Sequence, residues 1–255
     1  SVEFRERDVQ PERLPAEESR VTARGRVQEN GLPIRELARL RQAAYRVLGT
    51  VLLYPHADSI VPLSPVAAEL LVESRRLSSF AFWGVWERLL SSLQALNGTD
   101  AAGLEAAYAA TFGVASDGTS CFPCESAYFP PDATGWVLAE LDREYGRAGF
   151  TMAPSSGEAP DHVAVELNFM GLLCGQEAEA WRRKRVGAAV ERLEREAGFL
   201  ERHLGRWFPV LAGRVAARGD SAFYALATDC ARTFIAHDLE LVTALPGRYR
   251  EEVGR

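Results

Sequence analysis

Three groups of side chains in this sequence have types and spacings that could do chemistry. Cys121-Phe122-Pro123-Cys124 has the CxxC spacing that can chelate a metal or close a redox disulfide. Asp161 and His162 could form an acid/base pair, and Glu166 lies one helical turn beyond His162. Each group has a competing structural reading. A structural zinc needs four ligands, and no second CxxC or HxxxH lies near the cysteine pair. A thioredoxin-type site wants its pair in a strand–helix context, which the sequence around Cys121 does not offer. The pair is therefore read as two loop cysteines, at least partly buried, with metal at Cys121 and Cys124 kept as the lesser alternative. Asp161 and His162 are adjacent, and neighbours on a helix point about 100° apart, so they do not face each other. Asp161 complements the positive end of a helix dipole, which is reason enough for it. His162 has no such reason. At a helix start its protonated form is disfavoured, so its pKa should tend downward.

The element that must carry Asp161, His162 and Glu166 is a helix starting at Pro160, whose missing N–H costs nothing at a first helical position. Its apolar residues Val163, Leu167, Met170, Cys174, Ala178 and Trp181 recur with helical period. His162, Glu166 and Phe169 then share the opposite face, acidic with an apolar patch. Two loops should flank this start. Residues 113–134 form a long irregular stretch with three prolines, and Phe122, Tyr128 and Phe129 within it argue for packing. Residues 150–159 form the second. Helical stripes continue elsewhere: Ile34, Leu37, Arg41, Tyr45, Leu48 and Leu52, then stretches near 65–76, 79–96, 100–112 and 135–148. Val186 to Leu204 is helical, Trp207-Phe208-Pro209 interrupts it, and a last helix spans about 221–243. Residues 1–32 read as a flexible polar tail. No convincing alternating strand is seen. The expectation is an all-α, single-domain helical bundle over 33–255.

Composition narrows the function. Hydrophobic residues make up 47% and charged residues 25%, as in an ordinary soluble protein. No signal-like or membrane-spanning run occurs, so the chain reads as cytoplasmic without stable membrane insertion. The net charge of −6 argues against a general nucleic-acid binder. Residues 115–181 hold eleven acidic side chains against Arg143 and Arg147. An acidic middle in a nearly balanced chain points to a basic partner. No GxSxG, phosphate loop or HExxH motif is present, so catalysis has little support and no cofactor is indicated. His203 and His237 read as isolated helix histidines.

CESAYFP, followed some thirty residues later by EAPDHVAVELNFMGLL, resembles the TorD/DmsD/NarJ family of molybdoenzyme maturation chaperones. The shared pattern here is Glu158, Pro160, Asp161, His162, Glu166 and Leu167, with Glu125-Ser126 upstream and similar helices over 203–240. CFPCES resembles the branch serving type II dimethyl-sulfoxide-reductase-like enzymes, although its second cysteine replaces the commoner aromatic.

The resemblance implies a TorD-like helical bundle, no catalysis, and binding of the apo catalytic subunit of a molybdopterin oxidoreductase, its twin-arginine signal peptide, or both, until cofactor insertion. The residue-level reading complements it, because an acidic groove with an apolar floor suits an arginine-bearing peptide. Glu125, Glu158, Asp161 and Glu166 would supply charge. Ser126, Tyr128 and His162 would supply hydrogen bonds, Phe129 and Phe169 apolar contact, and Pro160 the turn. Gly157-Glu158 suits a hinge for domain swapping, so monomer and dimer both fit. The rivals are a metal-binding or metal-delivery protein using the CxxC loop, and a nucleotide-binding regulator, which no phosphate loop supports.

Overall fold

A computed structural model describes residues 2–6, 28–29, 32–97, 100–113, 120–153 and 157–253. Most of the predicted tail, residues 114–119 of the first predicted loop and 154–156 of the second lie outside the described residues. The architecture is all-α, as expected. Helices α1 (Ile34–Val51), α2 (Ala57–Ile60), α3 (Leu63–Glu73), α4 (Trp83–Gln94) and α5 (Ala101–Phe112) form the first half. Helices α6 (Thr134–Arg147), α7 (Val163–Arg182), α8 (Val186–Arg202), α9 (Leu204–Arg218) and α10 (Ala222–Val253) form the second. Among the described residues no helix is long and apolar enough to cross a membrane.

α7 is the axis of the bundle. α1 lies along it, α8 and α9 pack on its other sides, and α10 closes over α8, α9 and α4. The sequence pattern predicts one buried face for α7, but Val163, Ala164, Val165, Glu166 and Leu167 are all buried, as are Phe169 and Met170. The helix is therefore central and enclosed, which corrects the idea of an open face carrying His162, Glu166 and Phe169. Close contact with α1 depends on small residues. A Cβ on Gly49 would stand 2.5 Å from the Asn168 amide nitrogen, and one on Gly175 would stand 2.6 Å from that of Gln42.

Arg41, inside the apolar stripe of α1, is 3% exposed and ties four helices together. Its guanidinium meets Asp238 of α10 at 2.5 Å, Glu177 of α7 at 2.7 Å, and Glu196 of α8. The Tyr45 hydroxyl donates to Asp238 at 2.6 Å. One cation faces three carboxylates in a dry site, so burial pushes Glu177 and Glu196 upward, Glu196 to about 8, against the pull of Arg41.

Several boundaries differ from the sequence reading. Helix α7 begins at Val163, three residues after Pro160. The break after α8 falls at His203, where the backbone leaves helical geometry at φ −119° and ψ −101°, and Pro209 is accommodated inside α9. Helix α10 runs on to Val253. Short strands also exist. β1 (Phe4–Glu6) pairs antiparallel with β4 (Phe150–Met152), and β2 (Gln28–Glu29) with β3 (Leu32–Pro33). Residues 2–6 are thus no free tail. The Phe4 ring centroid lies 5.3 Å from that of Tyr145 and 6.1 Å from that of Phe169, and apolar contact of this kind holds the segment down. Residues 150–152 are likewise strand and not loop.

Candidate functional site

The start of α7 gathers most of the residues the sequence singles out. His162 is the N-cap, and its Nδ1 accepts from the Ala164 N–H at 3.2 Å. That supplies the structural reason the sequence reading lacked. A ring nitrogen that accepts carries no proton, so the hydrogen sits on Nε2. Nε2 lies 3.4 Å from the Tyr108 hydroxyl and 3.9 Å from the Glu158 carboxylate. Burial lowers the pKa of His162, outweighing the upward pull of Glu158 and Asp161. The downward shift agrees with the expectation for a helix start, and burial is its main cause.

The segment 120–133 is fastened to this helix start by main-chain bonds. The Val163 N–H donates to the Pro123 carbonyl at 2.7 Å, and the Glu125 N–H donates to the Asp161 carbonyl at 2.8 Å. Cys124 and His162 form an antiparallel bridge. The Ser126 N–H donates to the Asp161 carboxylate at 3.0 Å. Below them the Tyr145 hydroxyl donates to the Pro160 carbonyl at 2.7 Å. The Glu125 side chain turns inward, 1% exposed, and meets His203 Nδ1 at 2.9 Å. Glu166, fully buried, accepts from the Trp207 indole N–H at 3.2 Å. Burial, reinforced by Glu125, raises the Glu166 pKa well above the usual carboxylate range.

Glu125, Asp161, His162 and Glu166 therefore come together, but as a closed polar core beneath the loop and not as the open acidic groove expected from the sequence. Asp161 is 3% exposed and His162 5%. Phe169 is fully buried against Tyr145 and Phe199, so it contacts the protein's own interior. Of the four predicted carboxylates, Glu158 alone keeps a partly exposed side chain. Pro160 is exposed, and Ser126, Tyr128 and Phe129 are half-buried.

His203 is the residue that sequence reasoning missed. Its partner Glu125 is 78 positions away, and nothing local marks it. Around the loop, α9 adds a second feature without a sequence signal. Arg206 lies over the Phe129 ring at 4.7 Å and Arg214 over the Tyr128 ring at 4.8 Å. Val210, one turn from each, is exposed beside them, and Phe122 is exposed on the loop itself. The outer surface is therefore aromatic and apolar with arginines at its edge, over an acidic interior.

The cysteine pair is placed within the same loop, with Cys121 buried and Cys124 half-buried. Burial, and then Asp161, Glu166 and Glu158, push the Cys124 thiol up to about 12. A thiol so protonated is a poor metal ligand and a poor nucleophile. Among the described residues no group of three or more His, Cys, Asp or Glu side chains is arranged to hold a metal ion.

Comparison with known proteins places this geometry. The model of the nitrate reductase delta subunit family matches residues 79–213, more than half of the chain and the site just described apart from Arg214. The chain belongs to that family. The match bears out the resemblance to the TorD/DmsD/NarJ group of molybdoenzyme chaperones. Similar curated proteins include the perchlorate reductase assembly chaperone protein of Dechloromonas aromatica (strain RCB), 33% identical over 41% of this chain and 46% of that protein. The selenate reductase assembly chaperone protein of Thauera selenatis is 34% identical over 47% of this chain and 61% of its own length. The chlorate reductase assembly chaperone protein of Ideonella dechloratans is 32% identical over 45% and 58%. The matched stretches thus span about half the length of these relatives.

Proposed function

We propose that this protein is an assembly chaperone for a molybdopterin-dependent reductase of the type II branch, in line with the perchlorate, selenate and chlorate reductase chaperones it is similar to. It holds the apo catalytic subunit, through its twin-arginine leader or its mature surface, until the cofactor is inserted, and it acts in the cytoplasm without a covalent step.

The observation that carries this reading is the fastened loop. Glu125, Asp161 and Glu166 are spent inside the protein: the first two hold 120–133 against the α8–α9 junction and the start of α7, and Glu166 ties α7 to α9. A rigid loop can present Ser126, Tyr128 and Phe129 in a fixed pose beside Glu158 and Pro160. Preorganisation of this kind lowers the ordering cost of binding. The client then meets an aromatic and apolar surface, with Glu158 as the accessible carboxylate for a leader arginine.

Calorimetry of a client leader peptide at low salt tests the assignment. Phe129→Ala with Glu158→Gln should weaken binding by about tenfold or more, as expected on removing a partly buried aromatic and a charge-assisted contact. Asp161→Asn with His162→Ala should weaken it through the loop's position. Equal affinity in all three proteins would remove this surface from the binding site.

A further inference from the structure

α7 is roughly 30 Å long at 1.5 Å per residue, and the site above occupies its first residues. At its far end α1, α7 and α8 enclose an open cleft of about 540 Å³. Arg39 of α1, Arg183 and Arg185 of the α7–α8 turn, and Arg192 of α8 line it, with Glu179 as the one carboxylate among the lining residues. Glu179 is taken up by its own helix, at 2.6 Å from Arg182 and 2.5 Å from Arg183. Arg39, Arg185 and Arg192 have no ion-pair partner among the described residues. Burial first, and then repulsion from Arg192, hold the neighbouring Arg195 below its usual pKa, so the cations here are crowded.

The turn itself is unusual. The Lys184 N–H donates to the Trp181 carbonyl and the Arg185 N–H to the Ala180 carbonyl, a Schellman arrangement. Lys184 occupies the left-handed position at φ 58°, where glycine is the ordinary choice. Basic residues near a helix C-terminus complement its dipole. That accounts for Arg182 and Arg183, but not for Arg39 and Arg192, which arrive from other helices.

We propose that this cleft docks an acidic polypeptide segment of a partner protein, with several Asp or Glu residues in close succession. The planar guanidinium suits carboxylates bidentately, and among the described residues three of these arginines have no ion-pair partner. Small-molecule sites are mostly apolar and enclose their ligand, whereas this cleft is polar and open, which favours a chain laid across it. In a protein of net charge −6 a local basic cleft also orients an acidic partner during encounter. The proposal stands apart from the leader-binding surface, which lies at the opposite end of α7.

Fluorescence anisotropy with the full chain and a fluorescein-labelled hexaglutamate peptide, at low and at moderate salt, tests it, with hexaglutamine as the neutral control. Hexaglutamate should bind and hexaglutamine should not. Arg39→Gln, Arg185→Gln and Arg192→Gln combined should weaken binding about tenfold or more, while Arg75→Gln, elsewhere on the surface, leaves it unchanged. Glu179→Gln, which frees Arg182 and Arg183, should tighten it, an effect that misfolding would not produce. No hexaglutamate binding by the unaltered protein, equal binding by the triple variant, or binding of inorganic pyrophosphate without the peptide would overturn the proposal.

Discussion

Glu125 and His203 face each other at 2.9 Å in a site almost closed to water, joining the 120–133 loop to the junction of α8 and α9. Among the described residues the other ring nitrogen, Nε2, is buried without a hydrogen-bond partner, so the Glu125 contact is the ring's main polar tie. Removing one member of a buried pair leaves the other uncompensated, at a cost of about 3–5 kcal/mol. Glu125→Ala and His203→Ala should each lower the urea midpoint accordingly. The double variant should cost less than the sum of the two. Additive losses would mean that the pair is not an energetic unit.

His162 acts first as a cap. Its Nδ1 satisfies the Ala164 N–H, so His162→Ala should cost about 1 kcal/mol and His162→Asn should recover most of it. Burial lowers its folded-state pKa below the unfolded value. In the acid range the unfolded chain then binds the proton first, and the stability that the neutral ring contributes is lost as pH falls below about 6.5. Denaturation midpoints at pH 7.5 and 5.5 should therefore converge for wild type and His162→Asn as pH drops.

Asp161 is expected to matter through the loop. Its carboxylate accepts the Ser126 N–H, a charge-assisted bond. Asp161→Asn keeps the shape and removes the charge. Hydrogen exchange at the Ser126 amide should speed up by about an order of magnitude, the change expected for some 1.4 kcal/mol of local stability, while exchange in α10 stays constant. Equal acceleration in both places would show a global effect instead.

The helical period placed α1, α7 and the middle of α10 correctly, because burial of one stripe leaves a local trace in the chain. Arg41 within the α1 stripe was legible as a position but not as an ion cluster, since Glu177, Glu196 and Asp238 are 136 or more residues away. Local pattern also brought Glu125, Asp161, His162 and Glu166 to one place. It could not show which way they point. An acidic residue beside apolar neighbours reads as a solvated face unless its partner is known, and here the partners are distant in sequence, His203 at the α8–α9 break and Trp207 on α9. The basic cleft was hidden for the same reason, because Arg39 and Arg192 meet only through the packing of α1 and α8 against α7.

Lys184 separates backbone strain from charge. A non-glycine residue in the left-handed region costs about 1–2 kcal/mol, part of which glycine gives back through the entropy of the unfolded chain. Lys184→Gly should raise stability by up to about 1 kcal/mol in urea titration, the turn's two main-chain bonds being kept. If the basic cleft docks an acidic segment, the same variant should not bind hexaglutamate more tightly. A gain in stability with weaker binding fits a residue held there for its charge, and unchanged binding would remove that reason.

The Arg41 cluster makes the clearest pH prediction. Burial raises Glu196 to about 8, above its ordinary value of 4.5, so the folded state holds a proton that the unfolded chain releases. The stability from this group is fully present below about pH 4.5 and is lost as pH rises through about 8. Glu196→Gln mimics the protonated form. It should leave stability near pH 4.5 little changed and flatten the decline between about pH 4.5 and 8, measured as urea midpoints across that range. Asp238→Asn should behave differently, because Asp238 receives two guanidinium contacts and the Tyr45 hydroxyl. Losing that charge weakens Arg41's main partner, so stability should drop instead of the decline flattening. A steeper decline in Glu196→Gln than in the unaltered protein would mean that the proton resides elsewhere in the cluster.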